Sequence, residues 1–143
     1  MATSNAATNY LERRILDFIF KNNSLSFSSP GDSLYVGLAT AVSAAETGSL
    51  TEANFTNYVR KQVTAANWTT IGADSTDTQT AKNAANIEYP ASGGTNNTIS
   101  HVFVADALTR GNILFVGALD VSKLIADGDI FRINTGNLTI ELK

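Results

Sequence analysis

Apolar positions recur along this chain with two different periods, one near its start and another over most of its remainder. Near the start, Leu11, Ile15, Phe18 and Ile19 follow the i, i+4, i+7, i+8 spacing of a helix face. Asn9 followed by Glu12 has the spacing of a capping box, and Lys21-Asn22-Asn23 supplies a favourable terminal charge and helix-stopping residues. The spacing predicts a helix over 9–21 whose face covers one end of a sheet; docking on a neighbouring subunit is the alternative. Elsewhere the apolar residues come in short runs between turn residues. Leu34-Tyr35-Val36-Gly37-Leu38-Ala39 and Leu114-Phe115-Val116-Gly117-Ala118-Leu119 repeat the order leucine, aromatic, valine, glycine. Such runs, bounded by turn residues and rich in β-branched and aromatic side chains, read as buried strands. They predict two central strands, one in each half of the chain. The echo also suggests equivalent places in a pseudo-symmetric sandwich.

Further strands are predicted over 58–63, 85–89, 98–105, 121–125, 130–133 and 138–142. Over 98–105 the alternation puts Ile99, His101 and Phe103 on one face and Val102 and Val104 on the other. Pro30-Gly31-Asp32, the Ser/Gly/Asn cluster of 91–97, Asp127-Gly128 and Gly136-Asn137 are turn signals. Residues 41–57 and the polar tract 72–80 read as surface loops. Seven or eight short strands with such spacing predict an all-β, antiparallel β-sandwich, jelly-roll-like, with one N-terminal helix. The expected organisation is a flexible arm over 1–7 and a single β-sandwich domain over 8–143 that includes the helix.

Composition narrows the chemistry. Of 143 residues, 16% are charged, below the usual level of about 25%, so much of the polar surface is neutral Ser, Thr and Asn. The net charge is −3, which offers no basic field to attract nucleic acid. Cysteine is absent, removing disulfides, thiolate chemistry and Cys-based zinc sites. No apolar run reaches membrane-spanning length, and residues 1–7 lack the basic and apolar parts of a signal peptide. Neither membrane nor nucleic acid is an expected partner, and synthesis in a host cytoplasm is expected.

Candidate sites do not survive inspection. His101 is the single histidine, so no histidine pair can hold a metal. Ser100, His101 and Asp106 name a triad only on paper, because adjacent strand residues point to opposite faces and no nucleophile elbow is present. Asp74 and Asp77 lack the ligand density and glycine of a calcium loop. Asp127 and Asp129 flank Gly128 and read as a turn. Ser92-Gly93-Gly94-Thr95 has no following lysine and no helix to open, so it is no phosphate cradle. Trp68, Tyr58 and Tyr89 suit a core or a subunit interface better than a sugar platform. The sequence predicts no catalytic, cofactor-binding or metal-binding residues and no cofactor.

The ordered features nevertheless form a pattern: the helix Asn9 to Phe20, Leu34 to Thr40, Tyr58-Val59-Arg60, Ile99 to Asp106, Gly111 to Leu119 and Asp127-Gly128-Asp129 before a strand-forming tail. This resembles a family of small tailed-phage virion proteins, often called tail fibre proteins. It is also similar to the β-sandwich cement proteins that decorate some cyanophage capsids as trimers. Thr56-Asn57-Tyr58-Val59-Arg60 stands where relatives tend to carry a Gly-Gly-Tyr-Ala-Arg-type segment. The resemblance implies a non-enzymatic homotrimer on the virion capsid surface, a decoration protein bound to the major capsid protein at capsomer junctions. The alternative it implies is a tail fibre or tailspike tip that binds host surface polysaccharide. Cementing would favour an apolar edge and the N-terminal arm, sugar binding exposed loop aromatics. Residues 1–20 are expected to mediate attachment more than the sandwich does.

Overall fold

A computed structural model describes residues 6–23, 34–69 and 79–142. The chain begins with a two-residue strand, β1 (Ala6–Ala7), and the helix α1 (Asn9–Lys21). Ten strands in all are described; β2 (Leu34–Ala44), β3 (Ser49–Glu52), β4 (Lys61–Val63), β5 (Gln79–Lys82) and β6 (Ile87–Glu88) belong to the first two-thirds. They are followed by β7 (Asn97–Ala105), β8 (Ile113–Ile125), β9 (Arg132–Ile133) and β10 (Thr139–Leu142). The main sheet runs β1-β8-β7-β2-β3, with β4 also pairing β2, and every pairing in it is antiparallel. Two ribbons, β5 with β10 and β6 with β9, form the opposing layer. The protein is all-β with an N-terminal helix, as the alternation predicts.

The core explains why the layers meet. Val36 and Leu38 of β2, Val102 and Val104 of β7 and Ile125 of β8 face Ile87, Ile133 and Leu138 of the ribbon side in one buried cluster. A line of aromatic contacts runs through it: Phe55 against Tyr58, Tyr58 stacked on Tyr89, and Tyr89 edge-on to Phe131, with centroids 5.3, 6.0 and 6.0 Å apart. The fully buried Tyr89 hydroxyl donates to Val36 O at 2.7 Å, so the ring's one polar atom is satisfied inside the core. Burial pushes its pKa well above the ordinary phenol value. On the far face of the sheet Ala39, Ala45, Phe103, Ala105 and Val116 form a second cluster.

Gly37 is required by its neighbour. Phe103, directly across from it on β7, lies over it so closely that a Cβ there would stand 2.2 Å from the ring. Gly117 in the echoed run behaves differently. Val102 pairs with both Leu38 and Gly117, whereas Phe103 pairs with Gly37 and Val116. The two runs do flank one strand, but their register differs by one residue, which turns the two glycines to opposite faces.

Several sequence boundaries move. Residues 41–57 are not one loop, since β2 continues to Ala44 and β3 lies within them. Lys61–Val63 is the only strand within 58–63, and β5 emerges at the end of the polar tract. The run 113–125 is one strand, irregular where Ile99 and His101 of β7 stand opposite Lys123 and Ala118. Of the arm expected over 1–7, Ala6 and Ala7 pair with Val116 and Phe115. Pro30-Gly31-Asp32, Asp74 and Asp77 lie outside the described residues.

Candidate functional site

The helix spans the expected residues, yet its cap and its buried face differ from expectation. Thr8, not Asn9, is the N-cap: its Oγ1 accepts from Leu11 N–H at 3.4 Å and donates to Ile113 O at 2.6 Å. Thr8 N–H donates to Leu114 O at 2.9 Å, and Asn9 N–H to Glu46 O at 2.7 Å. The first turn is thereby fastened to the start of β8 and to the β2–β3 hairpin. Asn22 ends the helix in the left-handed conformation at φ 56°, as a terminating asparagine can.

Beyond that first turn Ile15 is half-buried, and the other apolar side chains of the helix are exposed. Leu11 is its single buried residue. Leu16, Phe18, Ile19 and Phe20 are 56, 53, 61 and 74% exposed. At 3.6 residues per turn, Phe18, Leu11, Ile15, Ile19, Leu16 and Phe20 occupy an arc roughly 200° wide, which only Asn9 and Glu12 of the first turn interrupt. Tyr10, Arg13, Arg14, Asp17 and Lys21 fill the rest, with Arg13 near Asp17 at 3.6 Å and Arg14 5.2 Å from the Tyr10 ring. A helix with so broad an apolar arc belongs in an interior. The signal was legible as Leu16 and Phe20, two apolar residues outside the 11-15-18-19 stripe.

A second feature is a groove of about 750 Å³ between β8 and β10. Phe115, Gly117, Leu119 and Asp120 line one side, Leu138, Ile140 and Glu141 the other, and Ala6 and Ala7 also border it. Its walls are mainly apolar, and both of its ionisable lining residues are acidic. Just beyond it, Val121 and Leu124 of β8 are strongly exposed. No sequence pattern pointed to this groove, because β10 reaches it only through the long-range packing of the ribbon on the sheet.

The Tyr58-Val59-Arg60 segment is structural. Arg60, with its side chain 5% exposed, donates through Nε and Nη2 to the Glu52 carboxylate at 2.8 and 2.9 Å. Its Nη1 donates to Ala107 O and Arg110 O at 2.7 and 2.8 Å. Tyr58 hydroxyl donates to Glu52 Oε1 at 2.8 Å and accepts from Leu38 N–H at 3.0 Å. That last bond satisfies β2 between its pairings with β4 and β3. Burial and the Glu52 charge both raise the Tyr58 pKa, so the phenol remains a donor. For Arg60, burial alone would lower the pKa, but hydrogen bonding and charge from Glu52 outweigh it and the net shift is upward. The guanidinium also stands 5.0 Å from the Phe103 ring centroid.

Other residues singled out by sequence behave as scaffold. Ser100 Oγ lies 2.8 Å from His101 Nδ1, a contact not expected of neighbours on a strand. The irregularity between Ile99 and His101 breaks the alternation that would part them. Ser100 Oγ donates its only proton to Thr40 O at 3.0 Å, so the imidazole is the donor in the contact and does not activate the hydroxyl. Asp106 instead accepts from Asn112 N–H and Nδ2 at 2.7 and 2.8 Å, closing the β7–β8 turn. Asp129 Oδ2 accepts from Ala126 N–H at 2.9 Å around Gly128, whose φ is 82°. Ser92 Oγ donates to Gly94 O at 3.0 Å. Tyr89 is buried, and Tyr58 and Trp68 pack partly buried against the main core. Among the described residues no three His, Cys, Asp or Glu side chains gather as a metal site, and no helix is long and apolar enough to cross a membrane.

A family model described as Gp80, podophage GP4 fiber I protein gp80, matches residues 6–141. No curated protein gives a significant match.

Proposed function

The chain belongs to the family of the podophage GP4 fiber I protein gp80, and from this membership we propose a non-enzymatic structural part of the phage particle that works through protein–protein contact. The exposed apolar end of α1, Leu16, Phe18, Ile19 and Phe20, carries this reading. Exposed apolar residues clustered within a turn and a half suit association with another chain better than solvent. A glycan platform would instead use exposed aromatics in the loops. Tyr58, Tyr89 and Trp68 pack against the core, so the polysaccharide-binding alternative finds less support among the described residues.

The family's description favours a place in a fibre. A capsid cement, bound to the major capsid protein as a homotrimer, is the second reading, and the apolar helix end with the exposed Val121 and Leu124 edge favours it. A low density of charge suits repeated close contact in either place, since few charges need desolvating. Gold-labelled antibody on intact particles tests the placement. Label confined to fibres supports the first reading, and label over the whole head supports the second. A deletion of residues 1–20 that still decorates depleted particles as well as the full chain would refute attachment through the helix.

A further inference from the structure

The helix end and the β8–β10 groove are opposite in shape and in charge, and they lie on the same chain. We propose that they are the two halves of one head-to-tail contact, in which the apolar end of α1 from one copy seats in the β8–β10 groove of the next. The inference rests on the reading that the helix end is a contact surface, and it adds the partner, a second copy of this chain.

Size and polarity agree. The groove volume of about 750 Å³ falls within the range of clefts that bury a drug-sized ligand. Leu16, Ile19 and Phe20, which share the outer part of the apolar arc, together carry fewer side-chain heavy atoms than such a ligand. Phe115, Leu119 and Ile140 are themselves only partly buried against the core, so their remaining apolar surface is available to an incoming side chain. Burial of surface from both partners removes apolar area from water on each side.

Charge decides the orientation and the partner. The groove is lined by Asp120 and Glu141 and by no basic residue. Between residues 13 and 21 the helix carries Arg13, Arg14 and Lys21 against the one carboxylate of Asp17. The helix end is therefore net positive on a chain whose net charge is −3. Complementary signs at the rim steer encounter and fix register more than they add affinity. A helix-to-helix contact about a twofold axis would instead bring like charges together. Because the two surfaces differ, the contact is heterologous, and repetition closes a ring or extends a filament according to the rotation at each step. A ring is the form that a trimer would take.

The test uses the full-length chain and two complementary variants. Ile19→Asp with Phe20→Asp removes the helix surface; Leu119→Lys, or the milder Asp120→Lys at an exposed position, blocks the groove. Light scattering after size exclusion, at rising concentration, should give the wild type as a multiple of 15.2 kDa and each variant alone as a monomer. Mixed, the helix variant and the groove variant should form a one-to-one heterodimer, since one intact helix end then meets one intact groove. The same mixture shows that each variant has folded. Groove variants that assemble as the wild type does would overturn the proposal in favour of helix-to-helix contact. A wild type monomeric at every concentration would overturn it too; loss of particle decoration by the helix variant would then leave the contact-surface reading standing. Assembly that appears only after residues 1–5 are deleted would assign the groove to the chain's own N-terminus and refute the second-copy occupant.

Discussion

Replacing Arg60 by methionine removes the hub of the buried polar network while keeping most of the side-chain volume. Four hydrogen bonds disappear, two to Glu52 and one each to Ala107 O and Arg110 O. Breaking a fully buried ion pair by removing one partner costs about 3–5 kcal/mol. Here the cost falls at the low end of that range, because the Glu52 side chain is 32% exposed and water can reach it once the guanidinium is gone. The loop carbonyls lie near the surface as well, so about 3 kcal/mol is the expected loss. For a chain of this length, an unfolding entropy of about 2.1 cal/mol/K per residue turns that into a fall of roughly 10 °C in Tm. Urea titrations followed by circular dichroism measure the loss directly, and unchanged m-values would show that the denatured state is unaltered. A double-mutant cycle with Glu52→Gln isolates the pair, whose coupling should exceed about 1 kcal/mol. A Tm within about 2 °C of wild type for Arg60→Met would refute the network's structural role. The Tyr58-Val59-Arg60 segment would then have to be explained by a surface contact.

The other outcomes follow from the same packing. Gly37→Ala places a methyl against the Phe103 ring and should cost about 1–3 kcal/mol, with partial relief in a Phe103→Leu background, both read from denaturant midpoints. Leu114→Ala should cost about 2–5 kcal/mol as a truncation of a buried leucine; Leu34→Ala should cost less in the same titration, because Leu34 is only partly buried. Desolvation lowers the His101 pKa below 6.5, so its contribution is present above pH 6.5 and is lost as pH falls through the depressed folded value. His101→Gln should flatten that segment of a stability-against-pH curve, and an unchanged slope would refute the assignment. Ile19→Asp with Phe20→Asp, compared with the wild type at a dilution where both are monomeric, should leave Tm nearly unchanged, since both side chains are more than half exposed in the single chain; a large fall in that thermal melt would mean that they pack on their own domain.

The helix, most strands and their turns were legible in the chain because their signals are local. The helix covers Asn9–Lys21 as its period predicts, β7 extends the predicted strand by one residue, and Gly128 and Gly136 turn where the turn residues stand. Pairing partners supplied everything else. Polar β3 and β5 became strands because β2 and β10 offer edges to them, and strand formation follows such neighbours more than intrinsic preference. The Ser100–His101 contact arose from an irregularity in pairing with a strand far along the chain. A one-residue offset across β7 set the two echoed glycines on opposite faces, a distinction that the order of residues within each run cannot carry. The helix pattern likewise defined an apolar arc, but only the packed sheet decided which part of it stays exposed. Burial depends on what lies across from a side chain, and here those neighbours come from distant parts of the sequence.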